Sequence, residues 1–300
     1  MTLLAGTEKY NGHSMVGVLR RVLLCTPEAA GWNDAQRLAH SASLGFPRPP
    51  VFPAAEEQHR ALCRILEEEG AEISFLPASA ELTLDAVYTH DASLMTDFGM
   101  IAMRPGKANR VVEAAKHRDF CRSIGMPILG EVQAPGKTEA GDMVWLDAGT
   151  LLVGHGYRTN REGIRQMRDL LRPHGVEVLE APLPYGPGPS ACLHLMSLFS
   201  VLDEKTVVAD LPWLAVETVE LLKERGFGFI EIEPSERDTL AVNVLSLGKR
   251  RLAAIEENRK TNQRLQAAGF VVKTFPGSEI CINGAGGPTC LTRPLLRVDS

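Results

Sequence analysis

The stretch DMVWLDAGTLLVG (142–154), followed by REGIRQMRDLLRPHGVEVLEAP (161–182), decides the fold. Two apolar runs flank an Asp-Ala-Gly turn, which suits a β-hairpin. An amphipathic helix follows and stops at Gly175, where one left-handed residue closes the helix without a side-chain clash. An apolar strand starts at once. The unit therefore reads strand, strand, helix, strand.

The same unit recurs along the chain. Helix-glycine-strand segments occur at EEQHRALCRILEEEG–AEISFLP (56–77), RVVEAAKHRDFCRSIG–MPILG (110–130), ETVELLKERG–FGFIEI (217–232) and ENRKTNQRLQAAG–FVVKTF (257–275). The terminal glycines, 70, 125, 175, 226 and 269, are separated by 55, 50, 51 and 43 residues. Paired strands precede the helices at ASLMTDFGMIAM (92–103), LMSLFSVLDEKTVVA (195–209) and VNVLSLGKRRLAAI (242–255). Five repeats of this size argue for a radial or solenoid α/β array, and a ring is favoured because it buries each unit against its neighbours. Residues 1–15 read as a loose leader and 16–300 as a single catalytic domain. The Pro/Gly segment PLPYGPGP (182–189) reads as a rigid loop.

Composition bounds the function. The chain has 300 residues, 44% hydrophobic and 23% charged, with a net charge of −5. No basic block marks a nucleic-acid or membrane-surface binder, and no apolar run is long enough to span a bilayer. Six cysteines (25, 63, 121, 192, 281, 290) form no C-x-x-C pair and are sparse for a disulfide scaffold. That usage, with no basic-then-apolar leader, predicts a cytoplasmic protein.

Several residues could carry chemistry. Cys290 follows a glycine run in NGAGGPTCLTRP (283–294), which places its thiol on a loop or strand start. His194, in PSACLHLMS (189–197), is expected on the first strand of the fourth unit and could serve a thiol as base and proton shuttle. Glu139 and Asp142, in TEAGDMVWL (138–146), stand just before a strand. In LDAVYTHDASL (84–94), strand alternation would put Asp85 and Asp91 on one face, with His90 adjacent. Carboxylates converging on an axis would suit a planar guanidinium, which offers five donors in one plane. GEVQAPGKT (130–138) imitates a phosphate-binding loop, but five residues separate its glycines where the motif needs four, and no helix follows.

The array, together with TEAGD, CLHLMS and GGPTCLTRP, resembles the guanidine-modifying enzymes of the pentein, or α/β-propeller, superfamily from about residue 16 to 297, which implies a five-bladed α/β propeller. That group includes arginine deiminases, dimethylarginine dimethylaminohydrolases and amidinotransferases. The resemblance implies Cys290 as nucleophile, His194 as acid and base, and Glu139 as the acid opening an E-A-G-D version of the E/D-G-G-D motif. It implies Asp85 and Asp91 as guanidinium ligands, and Arg110 and Arg158 as ligands of a substrate carboxylate. Asp142 and His90 are further candidates for the substrate site. Met196, where the deiminases carry an aspartate, points to the dimethylargininase branch; His90 stands where that branch often has an acid. The implied reaction is C–N hydrolysis of arginine or a methylated arginine through a cysteine-bound S-alkylthiouronium, with no metal or cofactor. The alternatives are amidino transfer to an amine, arginine or citrulline dihydrolysis, and a non-catalytic binding factor. A small-molecule guanidino substrate is the expected partner, with a homodimer as a further possibility.

Overall fold

The computed structural model describes residues 10–189, 191 and 193–299. Its strands form five separate three-stranded sheets arranged as the expected five-bladed α/β propeller. In every blade the middle strand pairs antiparallel with the inner strand and parallel with the outer one, which it reaches through a helix.

The third blade shows how the sequence dictates this. Strands β6 (Met143–Asp147) and β7 (Thr150–His155) form the hairpin, and helix α4 (Arg161–Leu171) leads to β8 (Glu177–Pro182). Asn160 caps the helix, its side chain accepting from the Gly163 amide. The helix buries Ile164, Met167 and Leu171, spaced three and four apart, against the sheet. Gly175 closes it with φ 75° and nothing within 4 Å of a built Cβ, so conformation alone selects glycine there.

The remaining blades follow suit. The second holds β3 (Ser93–Thr96), β4 (Gly99–Ala102), α3 (Val111–Ser123) and β5 (Ile128–Glu131). The fourth holds β9 (Phe199–Asp203), β10 (Thr206–Ala209), α5 (Val216–Glu224) and β11 (Gly228–Glu231). The fifth holds β12 (Leu245–Gly248), β13 (Arg251–Ile255), α6 (Arg259–Ala267) and β14 (Val271–Phe275). The first blade combines both ends of the chain. Its middle strand β1 (Val18–Leu24) pairs with β15 (Arg293–Val298) on the inside, running from Val18 opposite Val298 to Leu23 opposite Arg293. A short helix α1 (Ala35–Ala39) and the long α2 (Phe52–Glu68) then return the chain to β2 (Glu72–Phe75).

The leader expectation needs correction over part of its length. Residues 1–9 lie outside the described residues, but 10–15 are fixed across one end of the ring. Asn11 and His13 are buried. Their neighbourhood is held by the Asp97 carboxylate, which accepts from the Asn11 and Gly12 amides, and by the Asn11 carbonyl, which accepts from Arg297 N at 2.8 Å. The His13 ring stacks on Trp145 with centroids 4.1 Å apart. Composition did not reveal these contacts because they are made by backbone and by partners over 80 residues away. Cys25, Cys63, Cys121 and Cys281 form no disulfide; Cys192 lies outside the described residues. Among the described residues, no helix is long and apolar enough to cross a membrane.

Candidate active site

Each inner strand is entered by a long connection, and the ends of the five connections meet at one end of the ring. Asp91 precedes β3, Glu139 precedes β6, His194 precedes β9, Asn243 precedes β12 and Cys290 precedes β15. Hydrogen bonds tie loops of neighbouring blades together. Ala140 N donates to Asp91 O at 3.1 Å, Leu195 N to Asp142 Oδ1 at 2.8 Å, Asn243 Nδ2 to Cys290 Sγ at 3.1 Å, and His90 N to Cys290 O at 3.1 Å. These loops line a cavity of about 720 Å³ whose wall includes Asp85, Asp91, Arg110, Arg158, His194 and Cys290. That volume suits a ligand of amino-acid size or somewhat larger.

The local backbone differs from the strand placement expected for three of these residues. His194 is not on a strand; it caps a single 3-10 turn (Leu195–Ser197) ahead of β9. Asp85 lies in the 3-10 turn Leu84–Val87, and Asp91 in the turn before β3. Both reach the cavity, but by loop geometry rather than by alternation. Cys290 does sit on a turn before β15.

His194 lies between two carboxylates. Its Nε2 is 2.7 Å from Glu139 Oε2, and its Nδ1 is 3.9 Å from Asp91 Oδ1. Glu139 is fully buried beneath the cavity wall and also receives the Arg158 fork, Nε to Oε1 at 2.9 Å and Nη2 to Oε2 at 2.8 Å. Gly106 N adds a further donor at 2.9 Å. Asp91 is matched by Arg110 Nη1 at 2.6 Å and by the Gly141 amide at 3.1 Å. Burial would raise both acids. For Asp91 the charges of His194 and Arg110 outweigh it, and for Glu139 the His194 hydrogen bond and charge do, so both are held below the ordinary carboxylate range. Gly141 is required between them: a Cβ there would stand 2.5 Å from His194 Nδ1 and 2.8 Å from Asp91 Oδ1.

Donor atoms of Asp91, Glu139 and His194 lie within 4.8 Å of one another, close enough to bracket a metal ion. The donor set does not suit one. Each carboxylate already faces a buried or nearly buried guanidinium, and a dication would have to displace both. The arrangement instead supports a protonatable imidazole.

Three candidates hold places other than those expected. Arg110 lines the cavity, but four of its five N–H groups are committed within the protein: Nε to Glu113, Nη2 to Glu113 and Tyr88 O, and Nη1 to Asp91. It braces Asp91 rather than presenting a fork to a substrate carboxylate. His90 is buried away from the cavity wall. Its Nδ1 meets Thr292 O at 2.9 Å and its Nε2 lies 3.4 Å from Arg293 Nη2, and it lines a separate cavity on the ring axis. Asp142 is likewise buried and holds the turn carrying His194 through Leu195 N. Burial raises Asp142 to about 6.

Two features escaped the sequence reading. Asn243 grips the cysteine loop twice, with Nδ2 on Cys290 Sγ and Oδ1 accepting from Thr289 N at 3.0 Å. Its position just ahead of an inner strand, as in the other four blades, was the signal available. Lys107 spans the cavity mouth, with Nζ 2.7 Å from Asp85 Oδ2 and bonded to Leu44 O. The glycines before Cys290 also have a packing cause. A Cβ at Gly286 would stand 2.5 Å from the Tyr88 ring, and one at Gly287 would stand 2.5 Å from Asn243 Oδ1.

The geometry can be set beside known proteins. The arginine deiminase family model matches residues 86–219 and 212–297. The chain is 28% identical over 243 residues to N(G),N(G)-dimethylarginine dimethylaminohydrolase of Pseudomonas aeruginosa, covering 81% of this chain and 89% of that one. It is 26% identical over 282 residues to the uncharacterized protein YkgA of Bacillus subtilis, covering 94% and 93% respectively. A solved structure of the Pseudomonas aeruginosa enzyme, a mutant complexed with citrulline, superposes with a TM-score of 0.74 at 26% identity, covering 94% of this chain and all of that one. The fold is the pentein fold.

Proposed function

The chain belongs to the arginine deiminase family, and on that premise we propose that it hydrolyses a C–N bond of arginine or an N-methylated arginine, giving citrulline and an amine. At the coarser level it is a guanidino-modifying enzyme of the pentein superfamily. The observation that carries the finer reading is the convergence of Cys290, His194, Asp85 and Asp91 on one cavity, with Glu139 2.7 Å from the imidazole.

In this reading the Cys290 thiolate attacks the guanidinium carbon and the C=N electrons move onto nitrogen. His194, held as an imidazolium by Glu139 and Asp91, protonates the leaving amine as the C–N bond breaks. The product is an S-alkylthiouronium. Neutral His194 then takes a proton from water, the hydroxide adds to the same carbon, and the C–S bond breaks to release the thiolate and protonated citrulline, whose extra proton passes to the freed amine. Asn243 Nδ2–H donates to the sulfur, which favours its anionic form.

The acids hold the substrate cation by exchange. Asp91 and Glu139 already face arginines, so Asp85 is the acid at the mouth whose partner is an ammonium on a flexible stem. Arg110 is committed to Asp91 and Glu113 and the Arg158 fork to Glu139, so a substrate carboxylate would be met by Arg158 only in exchange for Glu139. The cavity wall carries both signs, which fits a zwitterionic amino acid with a cationic tail.

A panel of arginine, methylated arginines, agmatine and guanidino acids, assayed with wild type and Cys290→Ser, tests the proposal. Turnover to citrulline that vanishes in Cys290→Ser supports it. Transfer of the amidino group to added glycine or ornithine in preference to water would replace hydrolysis with amidino transfer. Turnover that survives Cys290→Ser would remove the mechanism.

A further inference from the structure

The ring encloses a second, small cavity on its axis, of about 20 Å³. All five inner strands contribute to it, among them Met95, Trp145, Ser200, Ser246 and Arg293, and the 10–15 segment covers it through Asn11 and Ser14. Its size admits one water-sized or monoatomic species.

Its charge is unusual for a protein interior. Arg293 and Arg297 both line it, at 6% and 3% exposure, and among the described residues no acid does. Arg293 Nη1 donates to the carbonyls of His90 and Ser93, at 3.2 and 2.5 Å, and Arg297 Nη1 donates to Gly17 O at 2.6 Å. Among the described residues neither guanidinium has a carboxylate within ion-pair distance. Asp91, the acid whose charge acts on Arg293, is already matched by Arg110. His90, the other titratable group on the wall, is engaged with Thr292 O and Arg293, and burial holds it neutral, near 3. Arginine cannot shed its charge by losing a proton. Carbonyl dipoles offset only part of two full charges, and an uncompensated buried cation is strongly unfavourable. Two further donors point the same way: Arg293 Nε and Ser200 Oγ are buried and lack a hydrogen-bond partner within the protein.

We infer that this axial cavity is a binding site for one small monovalent anion of the halide class, held by Arg293 Nε–H, the Arg297 guanidinium and the Ser200 hydroxyl. The volume excludes phosphate and carboxylates. The anion bonds Arg293, whose other nitrogens hold His90, the residue before Asp91, so it braces the floor behind the candidate active site without touching the reacting groups.

The experiment is thermal unfolding of the full chain at constant ionic strength, replacing sodium gluconate stepwise by sodium chloride. The melting temperature should rise with chloride. Above the dissociation constant, each tenfold rise in chloride should multiply the folded-to-unfolded ratio by about ten. Ser200→Ala should shift the onset of the rise to about tenfold higher chloride, a loss typical of one hydrogen bond to a charged group, and Arg297→Met should abolish the dependence. Crystals grown in bromide should show an anomalous peak between Arg293 and Arg297. Chloride-independent melting of the wild type with no axial bromide peak would overturn the site and leave water as its occupant. A chloride effect unchanged in both variants would place the ion elsewhere and overturn it equally.

Discussion

Replacing Gly141 by alanine tests the geometry of the imidazole directly. The new Cβ would stand 2.5 Å from His194 Nδ1 and 2.8 Å from both His194 Cγ and Asp91 Oδ1. Ordinary contact begins at 3.4 Å, so the ring must retreat by about an ångström. It has little freedom to do so, because Nε2 is bonded to buried Glu139 and the following residue is bonded to Asp142. Gly141 has no positive φ, so the substitution adds no backbone strain and the effect is steric. A displacement of about 1 Å in a reacting group lowers turnover on the order of 100-fold. Steady-state kinetics on the best substrate should show that loss in kcat with a smaller change in KM. Alkylation of Cys290 by iodoacetamide should still proceed, since the thiol loop is untouched. A variant that is folded by circular dichroism and retains wild-type kcat would refute the placement of His194 beside the reacting carbon.

Glu139→Gln should lower kcat on the order of 10²–10⁴-fold, the contribution typical of a positioned general acid and base; kcat/KM across pH measures it. Asn243→Ala removes the donor on Cys290 Sγ, and loss of a hydrogen bond to a charged group, about 1.5–3 kcal/mol, predicts a 10–100-fold slower thiol alkylation and turnover. Acid should weaken the fold. Burial lowers His59 to about 4 and His90 and His117 to about 3, so the unfolded chain binds protons first as pH falls below 6.5. Each then costs about 2 kcal/mol between pH 7 and 5. Burial raises Asp142 to about 6 and Glu113 to about 7, and these act oppositely. They regain about 3 kcal/mol together, leaving a net loss of about 2–3 kcal/mol. Urea unfolding at the two pH values reads this, and equal midpoints would contradict it.

The fold was legible because its signal is local and repeated. Gly70, Gly125, Gly175, Gly226 and Gly269 all take left-handed φ at a helix end, as their spacing implied. The site was legible as a set of residue types, less so as geometry. Asp91 and His194 reach the cavity from turns, because the inner strands begin only after them. Arg110 and His90 looked like ligands because sequence shows a charge but not its partner. Glu113, three residues after Arg110, carries the ion pair that commits that guanidinium, and the Thr292 carbonyl that fixes His90 lies 202 residues away. Asn243 was hidden by its type, since a neutral amide on a loop ordinarily serves its own turn.

The pairing of β15 with β1 has a consequence for how activity arises. Cys290 lies on the loop that feeds β15, so the sulfur is delivered by the same event that seals the circle. Until β15 pairs with β1, the Cys290 thiol has no fixed place opposite the His194 imidazole. On the proposed mechanism, turnover during refolding should therefore begin only once β15 has paired with β1, and a change that unzips this last strand should silence the chemistry.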